Sequence, residues 1–379
     1  MTQLTAEELA ALVHRVFAPT AQDHALAILV DLPDQRTPDH EAWRARRQMA
    51  LDWCEKLRRA DTGLQVDLYL YRNVGLNNAD LPLEGALLHR GGTLPVMADG
   101  MQPERELFAS VFDRHSIIIA PTQFSATAPL KLAAREHRFR AATMPGFTDA
   151  MVPALRLDYV EINRRVHLLK DVLDRSDRAT ILFVVDGGRR LELTLDLQRR
   201  EAHASGGVLH ERGTAGNLPS GEAYIVPYEG EAGPSRSAGE LPVQFGEELV
   251  VYAIENNRAV RVSGEGQAAA RESALLRTEP AYGNLAELGL GVLSDFGIEP
   301  GGEILLDEKL GLHIAFGRSD HFGGQVGARD FSRAEAVVHI DRVYLPATQP
   351  RVRVASVDLH DAAGNITPLI RDDRYVIGF

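Results

Sequence analysis

The first part of the chain alternates apolar runs with amphipathic segments. The continuous apolar run 25–30 predicts a strand covered on both faces, and the alternating stretch 65–72 predicts another strand. Thr5 and Glu8 form a capping-box pattern, which predicts a helix through about Val16. The remaining predicted elements of this part are helices over 38–60 (with Thr37 as N-cap), 104–113, 129–137 and 158–173, and strands over 116–120 and 140–143. Strands and helices alternating at this spacing indicate βαβ units and a mostly parallel sheet.

Beyond residue 173 the pattern changes to short strands and many glycines. Two strand patterns, 179–185 and 191–197, flank Asp-Gly-Gly at 186–188, a sequence typical of a hairpin turn. Further strand patterns lie at 249–254, 259–262, 303–306, 336–340 and 352–359. The stretch 230–239 is predicted to be a flexible loop. We therefore predict an α/β fold class with two domains, a mostly parallel N-terminal α/β domain over 1–176 and a β-rich (α+β) C-terminal domain over 177–379.

Composition narrows the class of protein. The 379 residues are 45% hydrophobic and 25% charged, as in ordinary globular proteins, and the net charge of −12 argues against nucleic acid as a partner. Cys54 is the single cysteine, so neither a disulfide framework nor a cysteine zinc site is expected. The start of the sequence lacks the features of a signal peptide, and no run of eighteen apolar residues occurs. We expect a cytoplasmic protein that does not enter a membrane. Arg44, Arg46 and Arg47 are predicted to lie on the exposed face of a helix.

The stretch 306–341 concentrates the side chains that bind metals. Its imidazoles and carboxylates belong to His313, His321, His339, Asp307, Glu308, Asp320 and Asp341. Such groups hold Zn, Mn, Co and Fe in proteins. The run Val-Val-His-Ile-Asp at 337–341 predicts a strand, on which His339 and Asp341 face the same side. The sequence therefore predicts a metal site in the C-terminal domain.

Two acids outside this stretch are further candidates. Glu222 follows the turn sequence Asn-Leu-Pro-Ser-Gly, and Glu287 lies among apolar and glycine residues. A buried carboxylate in such surroundings is usually paired with a cation or bound to metal. The alternative interpretation of each of these two glutamates is a solvated loop residue. Taken singly, His313 could be a core histidine, and Asp320 could be a surface group. The combination favours a metal site.

Four motifs give the C-terminal domain a resemblance to a known family. They are N-L-P-S-G-E at 217–222, A-E-L-G-L-G at 286–291, D-E-K-L-G-L-H-I-A-F-G at 307–317 and H-I-D at 339–341. In this order and with these separations they resemble the M29 family of metallo-aminopeptidases, of the aminopeptidase T type. The resemblance covers the C-terminal domain well, and the N-terminal domain contributes little beyond its α/β rhythm.

The resemblance implies a homodimer whose C-terminal domain holds two divalent metals per chain, with Zn, Co or Mn as the expected ions. Carried over position by position, the family's ligands fall on Glu222, Glu287, His313, His339 and Asp341. The family also uses a tyrosine seven residues after the first histidine, and here Asp320 occupies that place as the sixth candidate ligand. The neighbouring His321 is an alternative donor.

The activity implied by the resemblance is hydrolysis of a peptide or amide bond at an N-terminus, by water activated between two metals. Glu308 is our candidate general base, and Lys309 is our candidate for stabilising the oxyanion. The alternative for Lys309 is a salt bridge to a nearby acid.

Two other functions stay open at this stage. Relatives of the family are single-Fe(II) dioxygenases that open dihydroxypyridine rings, and His313, His339 and Asp341 could supply the facial triad that such an enzyme needs. Those relatives have a histidine in place of the second glutamate, so the presence of Glu222 and Glu287 together favours two metals. A specialised, non-peptidase family member is the third possibility, because Asp320 departs from the family pattern.

Overall fold

The computed structural model describes residues 3–101 and 104–379. The chain forms two compact units, one of Met1–Asn163 with Ser205–Ser220, the other of Arg164–Ala204 with Gly221–Phe379. This division differs in two places from the predicted domains 1–176 and 177–379. The boundary after Asn163 lies inside the helix predicted over 158–173. The segment 205–220 belongs to the first unit because it contains a strand of that unit's sheet.

Up to residue 174, helices and strands of the described chain mostly alternate as the sequence predicts, and a strand over 84–88 and a short helix over 152–155 add to the predicted elements. The helices and strands are α1 (Ala6–Phe17), β1 (Ala25–Leu32), α2 (Glu41–Arg59), β2 (Gln65–Arg72), β3 (Glu84–Leu88), β4 (Glu106–Leu107), α3 (Phe108–Arg114), β5 (Ile117–Ala120), α4 (Thr127–His137), β6 (Arg140–Thr143), α5 (Val152–Leu155) and α6 (Tyr159–Asp174). The predicted capping box of α1 is present, with Thr5 and Glu8 bonded reciprocally.

The rest of the chain is mostly strand. Its elements are β7 (Arg178–Val185), β8 (Arg189–Asp196), β9 (His203–Ser205), β10 (Thr214–Asn217), β11 (Glu222–Ile225), β12 (Ala238–Phe245), β13 (Glu248–Glu255), β14 (Arg258–Ser263), α7 (Gln267–Thr278), β15 (Leu285–Gly291), α8 (Ile304–Asp307), β16 (Leu312–Gly317), β17 (His339–Val343), β18 (Val352–His360), β19 (Ile366–Arg371) and β20 (Arg374–Tyr375).

The first unit is built on a mostly parallel sheet. Within the described residues this sheet has seven strands in the order β10-β6-β5-β1-β2-β3-β4. β1 pairs in parallel with β2 and β5, while β3 and β4 add antiparallel pairs at one edge. Every residue of β1 is buried, as its continuous apolar run predicts. The mixed α/β architecture with a β-rich C-terminal region is confirmed.

Three predictions in the first unit need correction. The second helix begins at Glu41 with His40 as its N-cap, because the Asp34 carboxylate binds the backbone of residues 36 and 37 and holds them in a turn. Arg46 and Arg47 are buried rather than exposed. Arg47 pairs with Asp39, and Arg46 donates to a backbone carbonyl. The predicted helix 104–113 is β4 followed by α3, since 106–107 join the sheet edge.

The second unit contains two sheets. Within the described residues they have five strands, β17-β16-β15-β11-β9, and eight strands, β14-β13-β12-β8-β7-β18-β19-β20. The predicted hairpin is present between β7 and β8, with Asp186 and Gly187 at positive φ. The predicted loop 230–239 gives way to β12 at its end.

The predicted strand 303–306 is wrong. This segment forms the helical turn α8, because the Asp307 carboxylate accepts the backbone N–H groups of Gly301 and Gly302 and closes the chain on itself.

No helix within residues 3–101 and 104–379 is long and apolar enough to cross a membrane.

Candidate metal centre

One face of the five-stranded sheet gathers five of the six candidate ligands. Across the ladder these ligands stand opposite glycine or alanine: Glu222 with Gly291, His313 with Gly289, Glu287 and Asp341 with Ala315, and His339 with Gly317. Paired residues project from the same face of a sheet, so large polar side chains lie beside positions with little or no side chain. The glycine-rich motif 286–291 therefore makes room for the neighbouring acids and imidazoles.

Glu287 lies at the centre of the cluster. Its Oε1 is 3.1 Å from Nε2 of His313, and its Oε2 is 3.4 Å from Nε2 of His339. Glu222 Oε2 lies 3.5 Å from the same atom of His313, and Asp341 Oδ1 lies 3.6 Å from Nε2 of His339. One oxygen of Glu287 thus faces the pair of His313 and Glu222, and the other faces the pair of His339 and Asp341.

Two groups of side chains in this cluster can each hold a metal ion. Glu222, Glu287 and His313 form one group, and Glu287, His339 and Asp341 form the other, each with its ligand atoms within 4.8 Å of one another. Each group combines one imidazole with two carboxylates, the donor set of hard or borderline divalent cations. Glu287 belongs to both groups.

Backbone carbonyls orient both imidazoles. Nδ1 of His339 lies 2.8 Å from the carbonyl oxygen of Arg318, and Nδ1 of His313 lies 3.3 Å from that of Gly311. A ring that donates its Nδ1–H to a carbonyl is fixed with Nε2 on its opposite side, and this orientation is typical of metal-binding histidines, in which the metal takes the place of the Nε2 proton. In both residues Nε2 is the nitrogen that faces Glu287.

The buried acids and imidazoles shift one another's pKa values. Burial opposes the charge of Glu287, but hydrogen bonds from His313 and His339 outweigh it and hold the pKa of this carboxyl low. Burial also lowers the pKa of His313, yet the bond to Glu287 and the charge of Glu222 raise it to about 9. The cluster therefore favours positive charge strongly, and a field that stabilises imidazolium also attracts a metal cation.

A buried oxygen of Glu222 fits this interpretation. Within the described residues, Oε2 of Glu222 is a buried carboxylate oxygen that has no hydrogen-bond partner. Buried polar atoms are nearly always satisfied, and an exception calls for an unseen partner such as an ion. The oxygen points toward Nε2 of His313, inside the first group. The residues present thus fit a bound cation.

Lys309 forms the ion pair that the sequence left as an alternative to oxyanion binding. The side chain of Lys309 is 1% exposed, and its ammonium donates to both Glu222 Oε1 and Glu308 Oε1. Burial would lower the pKa of Lys309, but the two carboxylates raise it. For Glu308, burial is the larger effect and raises the pKa of its carboxyl to about 8.

Asp320 is the candidate ligand that the structure does not bring into either group. Its carboxylate accepts from Arg318 Nε at 2.6 Å, and this nearby charge lowers its pKa against the effect of burial. The neighbouring His321 packs 5.4 Å from the ring of His339 but also stands outside both groups. Burial and the charge of His339 lower the pKa of His321 to about 4.

Three further side chains of the second unit, Tyr224, His203 and Glu229, belong to the surroundings of the candidate ligands and were not predicted. Tyr224 follows Glu222 at i+2 and so shares its face of β11, a signal that the motif itself contained. His203 stacks on Tyr224 with ring centroids 5.1 Å apart. Glu229 is buried beneath the loop that carries Asp320 and accepts from Ser319 Oγ at 2.6 Å. Nothing in the sequence near His203 or Glu229 indicates their contacts. Their partners lie on another strand or about ninety or more positions away along the chain.

The fold of this chain is similar to those of two solved structures. 2,5-Dihydroxypyridine dioxygenase from Pseudomonas putida KT2440 superimposes with a TM-score of 0.60 at 12% identity, covering 99% of this chain and 99% of that chain. AmpT from Thermus thermophilus, an M29 aminopeptidase T, superimposes with a TM-score of 0.55 at 18% identity, covering 98% of this chain and 99% of that chain. No family model and no curated protein matches the sequence. The expected resemblance to M29 aminopeptidases is confirmed at the level of the fold.

Proposed function

We propose that this protein is a metal-dependent hydrolase of the aminopeptidase type, which cleaves the N-terminal bond of a peptide or amide. The observation that carries the proposal is the position of Glu287, whose two carboxylate oxygens face two different imidazoles. A carboxylate shared between two adjoining ligand groups suits a pair of cations rather than a single one.

The cluster's residues divide into two sets of ligands joined by Glu287. Glu222 and His313 would complete the first site, and His339 and Asp341 the second. Two bound divalent cations, Zn, Co or Mn, would supply an activated water and polarise the scissile carbonyl.

Glu308 and Lys309 have different roles in this proposal. Glu308 is 16% exposed and reaches Glu222 through the shared ammonium, so we assign it as the group that exchanges a proton with the substrate. Lys309 already donates to two carboxylates, so we assign it to charge compensation within the buried cluster rather than to the oxyanion.

A ring-opening dioxygenase is less well supported by the arrangement of ligands. Such an enzyme holds one Fe(II) with two imidazoles and one carboxylate. Each group here has one imidazole and two carboxylates. The similarity to the dioxygenase is a similarity of fold.

Metal content and hydrolysis test the proposal together. Purified protein incubated with Zn, Co or Mn should retain two ions per chain and release nitroaniline from leucine p-nitroanilide. Glu287→Ala should lose both properties while keeping its circular dichroism spectrum, and Glu265→Ala, at an exposed position, should keep both. A single bound Fe with oxygen uptake on a dihydroxypyridine, or a Glu287→Ala enzyme with unchanged turnover, would refute the proposal.

A further inference from the structure

The cluster is open to solvent on one side. Among its five members the side chains of His313, Glu287, Glu222 and Asp341 are 1–8% exposed, whereas that of His339 is 20% exposed. His339, the most exposed of the five, therefore marks the opening by which a molecule can approach the buried oxygens. What lines this opening determines which substrate group can lie next to the reacting bond.

Aromatic rings line the opening. The rings of His321 and Phe322 lie 5.4 Å and 5.5 Å from that of His339, both edge-on. Phe322 in turn meets Tyr224 edge-on at 4.8 Å, and Tyr224 stacks on His203. We call His203, Tyr224, His321 and Phe322 the aromatic rim. Each of its side chains is partly accessible to solvent.

Hydrogen bonds hold in place the loop that carries two members of the rim, His321 and Phe322. Nε2 of His203 lies 3.0 Å from the carbonyl oxygen of Phe322, and a donated N–H there fixes the backbone of this residue. Below the loop, the buried Glu229 accepts from Ser319 Oγ and from the backbone N–H of Gln325, so both ends of the loop bind one carboxylate. A ring that is positioned in advance loses little side-chain entropy when a ligand packs on it.

We propose that the aromatic rim binds a planar aromatic group of the substrate, so that substrates with an N-terminal phenylalanine, tyrosine or tryptophan are preferred over aliphatic ones. The proposal rests on the proposed function, because it places this group beside the bond that the metal centre would cleave. Aromatic rings at 4.5–7 Å attract each other edge-on or offset by about 0.5–1.5 kcal/mol beyond the area they bury, and an aliphatic side chain gains only the area.

Binding measured apart from hydrolysis tests the proposal. Isothermal titration of Zn-loaded protein with L-phenylalanine hydroxamate and L-leucine hydroxamate should show about tenfold tighter binding of the aromatic probe. Phe322→Leu, which keeps an apolar side chain but removes a ring, should reduce this ratio at least about threefold. Tyr224→Leu should do the same, and Tyr224→Phe, which keeps the ring, should preserve the ratio. Val260→Ala, at an exposed apolar position on β14 of the other sheet, is the surface control.

The outcomes separate this proposal from the peptidase proposal. Hydrolysis is followed independently as ammonia release from phenylalanine amide and leucine amide. A rim-dependent preference for the aromatic hydroxamate without any hydrolysis would support the rim and refute the peptidase. Hydrolysis with equal binding of the two hydroxamates, a ratio unchanged in both Phe322→Leu and Tyr224→Leu, or no binding of either probe, would overturn the aromatic subsite.

Discussion

Gly289 lies directly opposite His313 across β15 and β16, and a β-carbon at this glycine would overlap the imidazole of His313. The imidazole thus occupies space that any other residue at position 289 would fill. This relationship explains why an acid in a strand is followed two residues later by glycine: Glu287 and Gly289 share a face, one supplying a ligand and the other the space for its neighbour.

Gly289→Ala should therefore displace the His313 ring and remove one cation. We expect the number of Zn ions per chain to fall from two to at most one, because the group around His339 does not contain His313. Inductively coupled plasma mass spectrometry after equilibrium dialysis measures this number. Gly188→Ala is the matched control, since in the described structure a β-carbon there has no neighbour within 4 Å. Two ions retained in Gly289→Ala would contradict the packing described.

Lys309 should stabilise the fold by compensating buried carboxylates. Lys309→Met leaves Glu222 and Glu308 without their cation, and removing one partner of a buried pair costs about 3–5 kcal/mol. We expect a loss of this order in the free energy of unfolding, measured by urea denaturation with a chelator present. The double variant Lys309→Met/Glu222→Gln should lose less than Lys309→Met alone, because one uncompensated charge is gone. A double variant as unstable as the sum of the two single ones would argue against the pairing.

Glu229 should hold the loop 319–326 in place. Its carboxylate accepts from Asn284 Nδ2 and Ser319 Oγ at 2.6 Å each and from the backbone N–H of Gln325. A glutamine at this position would place an NH2 group against these donors, and at least one hydrogen bond would be lost. Glu229→Gln should weaken local protection of this loop by about 1–3 kcal/mol in hydrogen exchange followed by mass spectrometry. Glu255→Gln, exposed at the end of β13, provides the comparison. Unaltered exchange across the loop would show that other contacts suffice.

Stability in acid should depend on Asp23. Burial opposes its charge, but hydrogen bonds from the backbone of Thr20 and from Arg140, 2.5 Å away, lower the pKa of this carboxyl to about 2 from an ordinary value of 3.8. Since the folded-state pKa is the lower one, the stabilisation is present above about pH 4 and is lost as the pH falls through 2. It amounts to about 2 kcal/mol.

Asp23→Asn should remove this contribution. The difference in free energy of unfolding between wild type and variant should be nearly constant from pH 7 to about pH 4.5 and shrink toward pH 2. Chemical denaturation across this range measures it, with Asp61→Asn at an exposed position as control. A difference that does not change with pH would show that the Asp23 charge has no such role.

The parts of the fold that the sequence predicted are those with a local signal. β2 and β6 have the bounds that their sequence patterns predict, and α1 begins at a capping box that two nearby residues complete. The N-cap of α2 was misplaced because the competing bonds of Asp34 are a matter of tertiary structure. The burial of Arg46 likewise depends on Phe147, about a hundred positions away.

The candidate site divides in the same way. His339 and Asp341 could be placed on one face by strand alternation alone, and the structure does place them together. Glu222 and Glu287 were assigned through resemblance, since nothing local shows which distant strand lies beside theirs. Asp320 was assigned by its position in the motif, but Arg318 two residues earlier competes for its carboxylate. Glu229 could not be foreseen because its partners are spread over residues 200–325.

The most direct test of the central claim is anomalous X-ray diffraction from crystals of the protein grown with Zn. The account predicts two peaks per chain, one bounded by Glu222, Glu287 and His313, the other by Glu287, His339 and Asp341, with a carboxylate oxygen of Glu287 on each. A single peak held by both histidines and Asp341, or no peak on this face of the sheet, would contradict it.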